Sequence, residues 1–176
     1  MTREELARRI AEVALLRGEF TLRSGRKSNY YLDKYRFETQ GDILLALGQM
    51  LAAHVTPEVD RIAGAELGAV PLAAATSMCS GKPCVFVRNQ KKDYGTARQV
   101  EGVLNAGDRV LLVEDVLTTG GQVLEAARTL ESLGARVVHI VAVIDREEGA
   151  KDNITSAGYR YTPLFTATDL GIVKTG

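Results

Sequence analysis

At 176 residues, 45% of them hydrophobic, the chain has material for one sizeable core and too little for two ordinary domains. Its 22 basic residues balance 22 acidic ones, which argues against a nucleic-acid partner or a membrane surface and leaves charge to act locally. No apolar stretch approaches the length of a membrane span, and an N-terminus carrying Arg3, Glu4, Glu5, Arg8 and Arg9 lacks the apolar centre of a secretion signal, so a cytoplasmic location is expected.

Leu6, Ile10, Val13 and Ala14 recur at helical spacing and predict a helix over Glu4 to Leu16, closed by Gly18. Phe20-Thr21-Leu22 and Tyr30-Tyr31-Leu32 read as short extended pieces around the basic turn Arg23-Ser24-Gly25-Arg26-Lys27. A second helix over Gly41 to Val55 places Ile43, Leu44, Leu47, Met50 and Leu51 on its buried side, and Arg61 to Ala65 reads as a short strand. Gly68 to Met78 is rich in small residues and helical after Pro71, which suits a first turn. Cys84 to Val87 is the next strand.

Neither Cys79 nor Cys84 has a His or a further Cys nearby to complete a zinc site, so free thiols are expected. His54 falls in a predicted helix and His139 in a predicted core strand, and both are expected to be structural. Arg88 to Glu101 is mostly polar. A polar stretch of about a dozen residues is long for a connector in a compact domain; such segments serve as lids or are disordered.

Residues Val110 to Glu125 read VLLVEDVLTTGGQVLE. Val110 to Val113 is the continuous apolar run of a strand buried on both faces, begun near Arg109 after the turn Asn105-Ala106-Gly107-Asp108. Val123, Ala126, Ala127, Leu130 and Leu133 then recur at helical spacing up to Gly134, and Val137 to Ile144 is a second apolar strand. This is a βαβ unit with parallel strands. A short helix over Ala150 to Gly158 and an edge strand over Tyr159 to Thr166 complete a single α/β domain with a mainly parallel central sheet flanked by helices.

Glu114 and Asp115 thus fall at the carboxyl end of a strand, where open parallel sheets bind ligands. Thr118 to Gln122 fall at a helix N-terminus, whose free N–H groups and dipole favour an anion, and Gly120 and Gly121 let a phosphate approach the main chain. Two acids repel that phosphate, so they face something neutral or cationic beside it: a ribose diol or a metal ion. An isolated acidic pair would more often be solvated in a loop with a Thr N-cap, but here strand end, turn and helix start agree.

The stretch from Val113 to Gln122 resembles the signature of the type I phosphoribosyltransferases, which use phosphoribosyl pyrophosphate. FTLRSGRKSNYYLD at Phe20 to Asp33, GAELGAVPLA at Gly64 to Ala73, RNQKKDYGT at Arg88 to Thr96 and Asp145-Arg146-Glu147-Glu148-Gly149 resemble the orotate branch of that family, in the family's order. The resemblance implies the type I fold with a small N-terminal hood segment over residues 1–36 and a mobile catalytic loop over 88–102. It implies phosphoribosyl transfer to orotate, giving orotidine 5′-monophosphate and pyrophosphate, in UMP biosynthesis.

The same resemblance implies catalytic roles for Lys92, Glu114 and Asp115. It implies a phosphoribosyl pyrophosphate site of Arg23, Arg88, Lys91, Lys92, Tyr94 and the run Glu114, Asp115, Val116, Leu117, Thr118, Thr119, Gly120, Gly121 and Gln122. Orotate would be held by Tyr31, Leu32, Thr118 and Arg146. A guanidinium suits a carboxylate bidentately, unless Arg146 is spent on a surface ion pair with Glu147 or Glu148. Magnesium (Mg2+) carried mainly by the pyrophosphate near Glu114 and Asp115, and a homodimer whose loop reaches the neighbouring active site, are also implied.

Three positions depart from the family's pattern. Asn89 stands where many relatives have a basic residue, Gly68 where a lysine is often found in the turn before the third helix, and Tyr94 where many relatives have His. The lost positive charge falls to Arg23, Arg88, Lys91 and Lys92, alone or with a metal ion. A transferase for a purine or uracil would share the phosphate site and differ at the base pocket. A ligand-sensing regulator of the same fold would be expected to carry a DNA-binding extension or a basic face, and neither occurs.

Overall fold

A computed structural model of the chain describes residues 1–21, 25, 27–89 and 99–172. Arg23, Lys91, Lys92 and Tyr94 lie outside the described residues. Helix α1 (Arg3–Ala14) opens on a capping box, in which the Thr2 hydroxyl accepts from Glu5 N and the Glu5 carboxylate accepts from Thr2 N. Its buried face carries Leu6, Ile10 and Ala14. The chain passes at once into β1 (Leu15–Thr21), which pairs antiparallel with β2 (Lys27–Leu32). Leu15 and Leu16, which the apolar spacing assigns to the helix, therefore belong to a strand, because Leu15 pairs with Leu32 and Leu16 with Tyr31. The two-stranded ribbon is separate from the main sheet.

A four-residue helix, α2 (Tyr35–Glu38), leads into α3 (Gly41–Ala52). Then follow β3 (Arg61–Ala65), α4 (Ala69–Ser80), β4 (Cys84–Val87), β5 (Val100–Glu101), β6 (Arg109–Leu117), α5 (Gly121–Ser132), β7 (Arg136–Asp145), α6 (Ala150–Ser156) and β8 (Tyr161–Thr166). The sheet order is β5-β4-β3-β6-β7-β8, parallel throughout except for the β4–β5 pair. The sheet is covered on both faces. Leu111 and Val113 of β6 join residues of α1, α3 and α4 in one core, and the alternate Val110 and Leu112 join residues of α5 and α6 in the other. Val100 and Glu101, placed within the polar loop by the sequence reading, instead return that segment to the sheet edge, Val100 opposite Val87.

Close packing fixes one strand glycine. A Cβ on Gly64 would lie 2.4 Å from the Ala69 carbonyl oxygen and 2.9 Å from Ala73 Cβ, so α4 rests directly on the β3 backbone. Neither neighbour is the free end of a flexible side chain. Gly64→Ala is expected to destabilise the fold by about 2–3 kcal/mol, as overpacking does, seen as a lower urea midpoint with an unchanged slope.

His139 is buried, its Nε2 lies 2.9 Å from the Thr162 hydroxyl, and its ring meets His54 edge-on at 5.4 Å. Burial, with Arg160 and His54 beside it, pushes His139 down to about 4, so it is neutral at physiological pH. Cys79 and Cys84 are free thiols. Among the described residues no helix is long and apolar enough to cross a membrane.

Candidate active site

Strand β6 runs on through Leu117, beyond the apolar stretch that announces it, because its pairing with β7 continues at Val116↔Ile144 and Leu117↔Asp145. Thr118, Thr119 and Gly120 then turn the chain into α5. Gly120 has φ 82°, and a Cβ there would also press on Ile154 at 3.2 Å, so conformation and space both call for glycine. No side chain caps α5, and Thr118, Thr119, Gly121 and Gln122 are exposed. The Asn153 amide of α6 donates to the Thr119 carbonyl at 2.8 Å and steadies the turn. Uncapped N–H groups and two open hydroxyls at the end of a parallel strand make a cradle for a phosphate.

Glu114 and Asp115 lie inside β6 and are only 7% and 3% exposed. Glu114 Oε1 accepts from Asp115 N at 3.0 Å, and Asp115 Oδ1 accepts from Val116 N. Burial, and then the neighbouring Asp115 charge, holds the Glu114 carboxyl well above the usual carboxylate range. Lys34, the residue just before α2, donates to Asp115 Oδ2 at 2.5 Å. Burial works against its charge, but pairing with Asp115 outweighs that and raises it overall. One helical turn on, Glu38 is buried with both carboxyl oxygens lacking a hydrogen-bond partner. Burial, then repulsion from Asp115, pushes it up to about 8 against a partial pull downward from Lys34.

The turn between β3 and α4 closes on the same acids. A Cβ on Gly68 would fall 1.7 Å from Asp115 Oδ2, although the backbone there, at φ −65°, suits any residue. A side chain at position 68 would therefore require the Asp115 carboxylate and the Lys34 ammonium to shift. The Glu66–Leu67 peptide bond in this turn is cis. Asn89 donates its main-chain N–H to Glu66 Oε1 at 2.8 Å and so ties the root of the polar segment to the turn. Arg88 N donates to the Gln99 carbonyl at 2.8 Å, the Arg88 guanidinium stands 3.8 Å from Glu101, and its Nε is buried without a hydrogen-bond partner.

Arg146 follows β7, and its N–H donates to the Leu117 carbonyl at 2.9 Å, which sets it beside Thr118. Its guanidinium pairs with Glu148 at 3.0 Å and donates to the Tyr30 hydroxyl at 2.9 Å, with the Tyr30 ring centroid 5.3 Å away. Only 15% of the Arg146 side chain is exposed, so the ion pair is not a surface one, and Nε is buried without a hydrogen-bond partner. The ribbon thus meets the sheet through Tyr30. Strand alternation puts Ser28, Tyr30 and Leu32 inward; Tyr31, expected at the base pocket, is 46% exposed with its ring 5.8 Å from Phe20, and Leu32 is buried in the core.

The structure therefore gathers Glu114, Asp115, the turn from Thr118 to Gln122 and Arg146 at the carboxyl ends of β6 and β7. Val116 is half-buried, and Leu117 is buried in the core against α5 and α6. Lys34, Glu38 and Tyr30 were missed by the sequence reading; the period-two pattern of β2 carried a signal for Tyr30, and nothing local marked Lys34. Among the described residues no group of three or more His, Cys, Asp or Glu could hold a metal ion.

Residues 42–158 match the family described as phosphoribosyl transferase domain. An orotate phosphoribosyltransferase of Thermococcus gammatolerans is 50% identical over 160 residues, covering 89% of this chain and 85% of the relative. One of Methanocaldococcus jannaschii is 43% identical over 169 residues, covering 96% of both. Among solved structures, the Mycobacterium tuberculosis orotate phosphoribosyltransferase in complex with phosphoribosyl diphosphate superposes with a TM-score of 0.81 at 33% identity, over 96% of this chain and 98% of that one.

Proposed function

The chain belongs to the phosphoribosyl transferase family, and from that membership and its site we infer that it is an orotate phosphoribosyltransferase. The reaction joins orotate N1 to C1 of the ribose of phosphoribosyl pyrophosphate with loss of pyrophosphate, giving orotidine 5′-monophosphate for UMP synthesis. Arg146 carries the choice of base. A mostly buried guanidinium with an unfilled Nε donor, beside Tyr30 and next to Thr118, suits the carboxylate that distinguishes orotate from uracil and the purines.

In this reading the turn from Thr118 to Gln122 takes the 5′-phosphate, and Glu114 and Asp115 hold the ribose hydroxyls. The sugar passes through an oxocarbenium-like state, so no enzymic nucleophile is needed; the chain supplies placement and electrostatics. Asp115 would stabilise the positive charge that develops on the sugar, and Arg88, with Lys91 and Lys92, would neutralise the departing pyrophosphate. Magnesium would be carried mainly by the substrate's own oxygens near Glu114 and Asp115, since among the described residues no group of three or more His, Cys, Asp or Glu could hold it. Bound there, it would neutralise charge on the leaving group.

A homodimer in which segment 88–102 serves the neighbouring site belongs to the same proposal, as does a cytoplasmic setting. The exposed Leu45, Leu67 and Met78 offer apolar surface for a partner copy.

Arg146→Ala is expected to raise KM for orotate roughly tenfold to a hundredfold, the effect of losing a charge-assisted contact, and to leave KM for phosphoribosyl pyrophosphate within about twofold. Steady-state assays with orotate, uracil, hypoxanthine and adenine supply the comparison. Equal losses for both substrates would remove Arg146 from the base pocket, and turnover of another base in place of orotate would overturn the functional reading.

A further inference from the structure

The side-chain space of the β3–α4 turn is filled by a lysine from a distant part of the chain. A Cβ on Gly68 would lie 3.0 Å from Lys34 Nζ as well as 1.7 Å from Asp115 Oδ2, so the ammonium stands where a side chain at position 68 would extend. Lys34 is 81 residues from Asp115 in sequence and bonds its carboxylate at 2.5 Å. The Lys34 side chain is 34% exposed and that of Asp115 only 4%, which puts the ammonium at the mouth and the carboxylate behind it. Glu38, the acid one turn further on, makes no hydrogen bond to the ammonium, so Asp115 is its hydrogen-bonded anchor.

An arriving ribose diol must compete with that ammonium for Asp115. Its two hydroxyls can donate to the carboxylate and release the lysine, and the diphosphate carried by the same substrate is a stronger partner for a cation than one carboxylate. We propose that Lys34 is a phosphoribosyl-pyrophosphate-binding residue: in the free protein it occupies the ribose site on Asp115, and when the sugar takes that carboxylate it turns to the diphosphate along the Gly68 turn. The proposal rests on the reading that this site takes phosphoribosyl pyrophosphate. It supplies, from another element, positive charge that Gly68 does not carry.

Titration calorimetry with phosphoribosyl pyrophosphate and Mg2+, without orotate, reads binding apart from turnover. Lys34→Ala is expected to weaken that binding about tenfold or more and to raise KM for the same substrate, with KM for orotate changed by less than about twofold. Lys34→Arg, which keeps the charge, should recover most of the affinity. If the Ala variant fails to fold, Lys34→Gln keeps most of the reach and a polar end, removes the charge and is expected to show the same loss. Unchanged binding in a folded variant that has lost this charge overturns the proposal while leaving the functional reading in place. Equal weakening for both substrates, with a lowered melting temperature, reduces Lys34 to a structural role. A wild-type protein that does not bind phosphoribosyl pyrophosphate overturns the functional reading itself.

Discussion

Asp115→Asn is expected to lower kcat by about two to three orders of magnitude while the protein stays folded, the scale seen when one electrostatic group aimed at a developing charge is removed. The two side chains have the same shape, and the amide oxygen can still accept from Val116 N. The charge is what disappears. The sugar becomes cationic as its bond to pyrophosphate breaks, and a buried carboxylate beside it acts in a medium that screens poorly. An amide also offers one acceptor oxygen where the carboxylate offers two, so the ribose hydroxyls are held less firmly. Lys34 would lose its partner, at modest cost to stability, because about a third of its side chain is in contact with solvent. Turnover at saturating substrate, with circular dichroism and a urea midpoint as checks on folding, decides the matter; an Asn variant as active as the parent would take the acids out of the mechanism.

Lys92→Ala is expected to lower kcat by about the same two to three orders of magnitude, yet to change the dissociation constant of orotidine 5′-monophosphate by less than about threefold. The nucleotide product lacks the pyrophosphate that Lys92 would neutralise, so only the step that expels pyrophosphate feels the loss. Comparable losses in turnover and product binding would deny the lysine this role. Segment 88–102 is anchored at both ends by the Val87↔Val100 pairing at the sheet edge. Mixing Lys92→Ala and Asp115→Asn subunits asks which site the segment serves. If it crosses to the partner, each hybrid dimer regains one site with both groups intact; if it serves its own subunit, none does.

The core of the site could be read in advance because its signals are local. An apolar run marks β6, glycines mark the turn, and helical spacing marks α5. The four further residues of β6 could not be read so, since pairing with β7 rather than hydropathy carries the strand through two acids. At four and two residues, α2 and β5 are too short for any periodicity to register. Tyr30 and Tyr31 are chemically alike, and only the phase of β2 against the core decides which one meets Arg146. Lys34 escaped for a different reason: its meaning lies in a contact 81 residues away, with a carboxylate against which a Cβ at position 68 would press.

Two acids held neutral in the interior make folding a proton-consuming event. Glu38 goes from its ordinary 4.5 to about 8 on folding, and Glu114 moves the same way, so near neutrality the native chain holds protons that the unfolded chain gives up. Stability should therefore fall as pH rises from about 6.5 to 8. His54 and His139, both lowered, act with the opposite sign, but only below about 6.5. Urea midpoints across that window should decline, and Glu38→Gln should flatten the decline; a midpoint independent of pH would show that the carboxyls ionise normally. The same uptake makes the heat of unfolding depend on the ionisation enthalpy of the buffer that receives the released protons.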